Sequence, residues 1–316
     1  MNFFVRHALI NRLHTLALLL FLGGYLALLG WLLWGKSGLI WLLLLGGLFA
    51  LFSPAASPHL VMRLYRARPL GTGEAPQLYR LTHELSRRAG LATPPRLYYL
   101  PTAMVNAFAV GTRRHAALGL TSGLLGTLDR RELTGVLAHE ISHIRNNDIR
   151  VMSLADMATR LTSILSTTGQ ILLLVYLPMF LFTDMRINWM VVWILLFAPQ
   201  LSALTQLGLS RVREYQADLF AAELTGDPEG LARALIKLER SQRSLWQVLF
   251  PGYRIPEPSL LRTHPATEER VRRLMQLAHS SRSSVNEPFD EGADLWLEPV
   301  SPQRKLPRWH INGLWH

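Results

Sequence analysis

The chain alternates between long apolar runs and polar stretches. Residues 15–34 contain no charged side chain, and a helix of about 20 apolar residues crosses a hydrocarbon core about 30 Å thick. A shorter apolar run, residues 39–52, follows the joint GKSG and reaches spanning length only with residues 53–56. Two more runs, 161–182 and 189–209, are joined by TDMRIN. The pattern predicts about four transmembrane helices arranged as two hairpins.

A cleaved signal peptide is the alternative interpretation of the first apolar run. Such a peptide ends at a cleavage site with small residues, and the sequence after residue 34 has no convincing one. The second apolar run begins only a few residues later, which favours a retained hairpin.

The polar stretches predict short helices and strands. GEAPQLYRLTHELSRRAG has apolar residues at helical spacing and stops at Gly90. PRLYYLP, VNAFAVG and HAALGLT are short runs separated by Pro, Gly and TRR, and they predict a small antiparallel sheet. LDRRELTGVLAHEISHIRNND predicts a helix whose Asp129 and Glu132 are spaced as in a capping box. The elements together predict an α-helical membrane protein that carries an α+β domain.

The order of the elements divides the chain into five segments. The first and third are the hairpins, the second and fourth form the α+β domain, and the fifth is a tail with three Trp that is predicted to be disordered or to dock. The segments are 1–56, 57–155, 156–209, 210–279 and 280–316.

The distribution of basic residues predicts the orientation in the membrane. The joints GKSG and TDMRIN hold one basic residue each, Lys36 and Arg186, whereas the polar stretch after the first hairpin is rich in Arg. Because Lys and Arg accumulate in cytoplasmic loops, both termini and the α+β domain are predicted to be cytoplasmic.

Composition limits the chemistry that the chain can perform. The chain is 49% hydrophobic and 17% charged, against a charged share of roughly 25% in soluble domains. Cysteine is absent, so a metal ion must be bound by His and carboxylate side chains. The net charge of +11 is also typical of nucleic-acid binding, but no basic run is interleaved with aromatic residues as in a recognised module. No nucleic-acid partner is expected.

Residues 139–143 have the pattern His-Glu-x-x-His. On a helix, residues four apart share a face, so His139 and His143 can bind one ion. Glu140 projects beside them and can accept a proton from a metal-bound water. Histidines on a helix face are otherwise more often structural or solvated, and a third ligand is needed.

The segment SRVREYQAD provides candidates for that third ligand. Glu214 is followed one helical turn later by Asp218. One carboxylate can bind the metal while the other accepts the ring N–H of a ligand histidine. The alternative is that both belong to an ordinary polar helix face.

Four segments, in this order, resemble the membrane-bound zinc metallopeptidases of family M48. They are NAFAVG (106–111), LDRRELTGVLAHEISHIRNND (128–148), REYQAD (213–218) and THPATEERVRRL (263–274). Two apolar runs precede the His-Glu-x-x-His helix and two separate it from Glu214, as in the family. The resemblance implies a zincin-like (gluzincin) domain with one Zn²⁺ per chain. It also implies an endopeptidase of the inner (plasma) membrane that cleaves membrane or misfolded proteins in quality control.

The resemblance also assigns roles to individual residues. It implies that Glu140 is the catalytic base, that Asp218 supports a ligand histidine, and that the metal ligands are His139, His143 and Glu214. The histidine of the family's His-Pro pair matches His264, which would face the substrate or the developing oxyanion. From the residues alone, a His before Pro is equally typical of a helix start.

The expected partners are polypeptide substrates, membrane proteins above all, and the lipid bilayer. The strand containing Asn106, Ala107 and Phe108 is predicted to pair with an extended substrate, the alternative being that it only packs in the sheet. Arg211 is a further candidate for stabilising the oxyanion. Oligomeric state is not predicted by the sequence.

Two other classes of function are compatible with His-Glu-x-x-His. An intramembrane protease carries the motif inside a membrane span, but LDRRE and RNND flank it here and are too polar for the bilayer core. A non-catalytic scaffold would use a structural metal with four protein ligands and would have no use for Glu140. Zinc is the expected ion, although two His and one carboxylate also bind other divalent ions.

Overall fold

The computed structural model describes residues 3–52, 58–182, 188–249 and 267–281. The helices are α1 (Phe3–Phe52), α2 (Pro58–Leu64), α3 (Pro76–Arg88), α4 (Ser122–Thr127), α5 (Arg130–Asn146), α6 (Asp148–Phe182), α7 (Trp189–Thr225), α8 (Pro228–Leu249) and α9 (Thr267–Ser281). The strands are β1 (Arg68–Pro69), β2 (Arg96–Leu100), β3 (Ala107–Gly111) and β4 (Ala116–Thr121). His264 and residues 282–316 of the predicted tail lie outside the described residues, while residues 280 and 281 of that tail end α9.

Among the described residues, three helices are long and apolar enough to cross a membrane: α1, α6 and α7. About four were expected; α1 contains both apolar runs of the first hairpin as two helices joined at a kink, and it counts once among the three. The chain nevertheless turns inside α1 at the predicted joint, where Gly35 has φ 61° and ψ −145°, a conformation that glycine adopts without a steric penalty. A Cβ atom on Gly38 would overlap the carbonyl oxygen of Gly30, although residues eight apart in a straight helix are about 12 Å apart. The two halves of α1 therefore fold back on each other.

The three membrane helices pack through an apolar core. Leu22 of α1 packs with Met152 and Leu209, and further along α1 Leu29 packs with residues of α6 and α7. Along the first half of α1, α6 therefore runs parallel and α7 antiparallel, because Leu22 meets Met152 and Leu209 whereas Leu29 meets Leu165 and Leu195. Apolar side chains such as Leu174 point outward and are exposed, as expected for a surface that faces lipid.

The sheet is mixed, so the prediction of an antiparallel sheet was wrong. The strand order is β1-β2-β4-β3, and β2 pairs with β4 in parallel. β3 and β4 form an antiparallel hairpin, closed by two backbone hydrogen bonds between Thr112 and His115. The connection 101–106 leaves a gap of one strand between β2 and β3, and β4 occupies this gap. β3 therefore lies at the edge of the sheet. The alternation of apolar residues reports the two faces of a strand but not the order of its neighbours.

Helix α5 lies at the centre of the α+β domain, and its predicted cap is confirmed. Its N terminus has a capping box, in which the Asp129 side chain accepts the backbone N–H of Glu132 and Glu132 accepts that of Asp129. Leu137 and Ile141 of this helix are fully buried with residues of the sheet, α3 and α8. Helix α3 ends at Arg88, and Gly90 has φ 70°, as the sequence predicted.

Helices α6 and α7 connect the membrane region directly to the α+β domain. Helix α6 begins at Asp148, two residues after α5 ends, and α7 runs without interruption from Trp189 to Thr225. The predicted segment boundaries at 155/156 and 209/210 therefore fall inside these two helices. Glu214 consequently lies on a continuous extension of a membrane helix.

The close packing of α5 against α8 predicts a stability effect at Gly135. A Cβ atom there would lie 2.9 Å from the backbone nitrogen of Leu231. Because backbone cannot move aside as a side chain does, Gly135→Ala should lower the free energy of unfolding by about 1–3 kcal/mol. Gly126→Ala in α4 is the matched control, since its Cβ would meet nothing within 4 Å. Thermal unfolding in detergent measures both, and equal midpoints would contradict this packing.

Candidate metal centre

Three side chains from two helices converge on one point. His139 and His143 are one turn apart on α5, and their Nε2 atoms are 3.2 Å apart. Glu214 of α7 places its carboxylate oxygens 3.4 Å from Nε2 of His139 and 3.7 Å from Nε2 of His143. Of the described residues, these three form the group that could hold a metal ion.

The spacing of these atoms fits a single tetrahedral ion. Ligand atoms bound at about 2.1 Å to a tetrahedral zinc ion lie about 3.4 Å from one another. The separation of 3.2 Å between the two Nε2 atoms is close to this value. Glu214 places Oε2 3.4 Å from Nε2 of His139 and Oε1 3.7 Å from Nε2 of His143, so both carboxylate oxygens lie in the same range. Two imidazole nitrogens and a carboxylate also form a donor set that zinc accepts, and three protein ligands leave one position for a water or substrate. The residues present therefore fit the ion that the sequence predicted.

Asp218 lies next to His139, as the one-turn spacing from Glu214 suggested. Its Oδ1 atom is 3.0 Å from Nδ1 of His139, and both side chains are buried. A carboxylate at Nδ1 favours the tautomer that carries its proton there and turns the lone pair of Nε2 toward the centre. Asp218 is thus placed to orient one candidate ligand.

Arg270 of α9 binds two of the acidic side chains, and sequence reasoning missed this role. Its guanidinium donates to both oxygens of Asp218 at 2.7 Å and lies 3.1 Å from Oε2 of Glu214. Burial alone would lower the pKa of Arg270, but the charges of Asp218 and Glu214 outweigh it and raise the pKa. A signal was available in the sequence, because Arg270 shares its helix face with the buried Leu274 and Ala278.

Asp148 was also missed, and it contacts the second histidine. Its Oδ2 atom is 2.7 Å from Nδ1 of His143. The chain reaches this position because Asn147, with φ 55° and ψ 33°, ends α5 in the left-handed conformation and α6 starts immediately after it. Each candidate histidine ligand therefore has its own carboxylate at Nδ1.

Burial and the neighbouring charges shift the pKa values of the two histidines in opposite directions. Burial lowers the pKa of His139, but hydrogen bonds to Asp218 and Glu214 prevail and raise it to about 9. The pKa of His143 is lowered, by burial first and then by the charge of His139. The two imidazoles therefore differ because His139 lies against two carboxylates, whereas His143 lies against the charge of His139.

The other candidate residues lie at different distances from the centre. Glu140 is half-buried beside the ligands and acts electrostatically on His143 and Arg270. Arg211 is exposed on α7, three residues before Glu214. Glu140 therefore lies near the candidate ligands, whereas Arg211 lies on the surface of the adjoining helix.

The predicted substrate strand lies at the edge of the sheet, next to α5. Asn106 is half-buried and bonds Thr121 through its backbone N–H and C=O. Ala107 packs on the side of α5, whereas the Phe108 ring packs with Tyr65 on the opposite face of the sheet. The Phe108 side chain is consequently a core residue of the α2 side.

Comparison with known proteins identifies the family to which the chain is similar. Residues 73–278 match Peptidase family M48. A curated relative from Ralstonia pickettii, named "Protease HtpX homolog", is 33% identical over 293 residues, covering 86% of this chain and 98% of that protein. One of the same name from Sulfurihydrogenibium sp. is 37% identical over 292 residues, covering 85% and 96%. The solved structure of S. mikatae Ste24p is 21% identical with a TM-score of 0.45, covering 85% of this chain and 66% of that one.

The site and the apolar helices define a multi-pass membrane peptidase. The chain belongs to peptidase family M48, and its curated relatives are named as HtpX proteases. The resemblance drawn from the four sequence segments is therefore confirmed.

Proposed function

We propose that this chain is a zinc-dependent endopeptidase that cleaves membrane or misfolded polypeptides at the cytoplasmic face of the inner membrane. The observation that carries the proposal is the convergence of His139, His143 and Glu214, with one carboxylate behind each histidine. Family membership supports the peptidase activity. The asymmetry of Lys and Arg between the loops supports the orientation.

In this proposal, different residues of the chain bind the metal, transfer the proton and orient a ligand during peptide hydrolysis. Zinc, when bound by His139, His143 and Glu214, supplies Lewis-acid chemistry and lowers the pKa of its water to about 7. Glu140 accepts the proton of the attacking water and delivers it to the leaving amine. Asp218 keeps His139 in the tautomer that this site needs.

Substrate binding is assigned to the sheet edge, and oxyanion stabilisation to two basic side chains that the sequence suggested. β3 is an edge strand next to α5, so an extended polypeptide can add to it through backbone hydrogen bonds. In this proposal Asn106 and Ala107 align the scissile bond, and Arg211 and His264 stabilise the developing oxyanion. The membrane helices bring substrates that are themselves in the bilayer within reach, which supports a role in membrane protein quality control.

Removal of the metal tests the proposal. Purified full-length protein in detergent should contain about one zinc per chain and cleave casein or a membrane-protein substrate. A strong chelator should lower the cleavage rate about tenfold or more, and zinc should restore it, because the open metal position is needed for hydrolysis. Rates that are unchanged by complete zinc removal would contradict the proposal. Bound zinc without any cleavage would instead support a scaffold with a structural metal.

A further inference from the structure

The carboxylate of Asp148 is buried and has two partners of different kinds. Its side chain is 2% exposed. One oxygen faces Nδ1 of His143 at 2.7 Å, and the other forms an ion pair with Arg213. An isolated buried carboxylate is costly, so a charge held at this position must be compensated, and Arg213 compensates it.

Arg213 connects this carboxylate to both helices that supply candidate ligands. Its guanidinium donates to the backbone oxygen of Asn146 at 3.1 Å, at the C terminus of α5, and to Oε1 of Gln216 at 3.1 Å on α7. Arg213 immediately precedes Glu214, and its side chain is 7% exposed. The contacts therefore form one network from His143 through Asp148 and Arg213 to the helix that carries Glu214.

Asp148 and Arg213 also belong to the helices that continue into the membrane. Asp148 is the first residue of α6, and Arg213 lies on the extension of α7 beyond its apolar part. Both side chains, Asp148 and Arg213, are therefore attached to long helices that pack against each other, and neither lies on a surface loop. The positions of Asp148 and Arg213 are therefore set by the packing of α6 and α7, and a carboxylate behind a metal ligand is what orients it.

We propose that Asp148 is a positioning residue for His143, held in place by Arg213. Asp148 accepts the Nδ1–H of His143, which leaves the Nε2 lone pair directed at the ion. Asp148 does for His143 what Asp218 does for His139, and the pair of membrane helices fixes its position. The inference rests on the proposed function, because it assumes that His143 binds zinc.

Zinc affinity tests this role directly, without any need for a substrate. In the full-length protein, Asp148→Asn should weaken zinc binding roughly 10- to 100-fold, measured by competition with a chelating dye. Asp156→Asn is the matched control, because it makes the same change on α6 where the carboxylate pairs with the exposed Arg160. The control should bind zinc as the wild type does. Cobalt substituted for zinc should give altered visible absorption bands in Asp148→Asn only, which a purely structural role would not cause.

A second variant controls for misfolding that would result if Arg213 lost its carboxylate partner. Asp148→Ala combined with Arg213→Met removes both charges together, and its zinc affinity should fall at least as far as that of Asp148→Asn. If both Asp148 variants bind zinc within about twofold of the wild type, far from the expected loss, the positioning role is wrong. If the wild type binds no zinc, or if His143→Ala binds it equally well, the proposed function fails as well.

Discussion

Glu140→Gln should retain zinc and lose about 10²- to 10⁴-fold or more of the cleavage rate, the range that removal of a general base produces. Gln has nearly the same size as Glu, so the packing of α5 is preserved. It cannot accept a proton, however, and the attacking water then has no base beside the two histidines. The loss should therefore appear in kcat while the metal content remains that of the wild type.

The matched control for Glu140→Gln is Glu84→Gln. Glu84 is a surface carboxylate on α3, paired with Arg87 and Arg88, and its replacement should leave both zinc content and cleavage unchanged. Zinc analysis and a peptide-cleavage assay on the same preparations measure the two quantities. If Glu140→Gln cleaves within tenfold of the wild-type rate at equal zinc content, Glu140 is not the general base.

The parts of the centre that the sequence predicted are those set by local geometry. His139 and His143 share a face because a helix repeats every 3.6 residues, and Glu214 and Asp218 share one for the same reason. The capping box at Asp129 involves residues three apart. Such spacings are properties of a single helix, so they need no knowledge of what packs against it.

The parts that could not be predicted depend on how distant segments meet. The order of the strands depends on the path of the connection 101–106, which places β4 between β2 and β3. The contact of Asp148 with His143 depends on a left-handed residue, Asn147, after the end of α5. The apolar runs predicted the turn in the first hairpin, but not that Gly35 is the residue at which the chain turns.

Arg270 shows the same limit within one short segment. ERVRRL contains three arginines. Their spacing places Arg270 on the face of Leu274 and Ala278, but only the docking of α9 determines what that face contacts. Arg270 is 3% exposed, while Arg272 and Arg273 pair with Glu269 at the surface. Their chemistry is identical, so burial alone determines that Arg270 contacts the candidate metal centre.

Arg270→Met should lower the free energy of unfolding of the zinc-free protein by about 3–5 kcal/mol, because it removes a buried guanidinium that compensates two buried carboxylates. Asp218 loses both of its hydrogen bonds from the guanidinium, and Glu214 loses its ion pair with Arg270. Met fills a similar volume, so lost packing contributes little. Chemical unfolding in detergent, followed by tryptophan fluorescence after removal of zinc, measures the change.

Two further substitutions separate the buried charge from helix α9 itself. Arg272→Met removes a mostly exposed arginine from the same helix and should cost no more than about 1 kcal/mol, as surface ion pairs contribute little. Arg270→Lys keeps the charge but cannot bind both oxygens of Asp218 as the planar guanidinium does, so its stability should be intermediate. If Arg270→Met is no more destabilising than Arg272→Met, the carboxylates of Asp218 and Glu214 do not depend on this arginine. A contact other than that with Arg270 would then have to hold Asp218 in the position that orients His139.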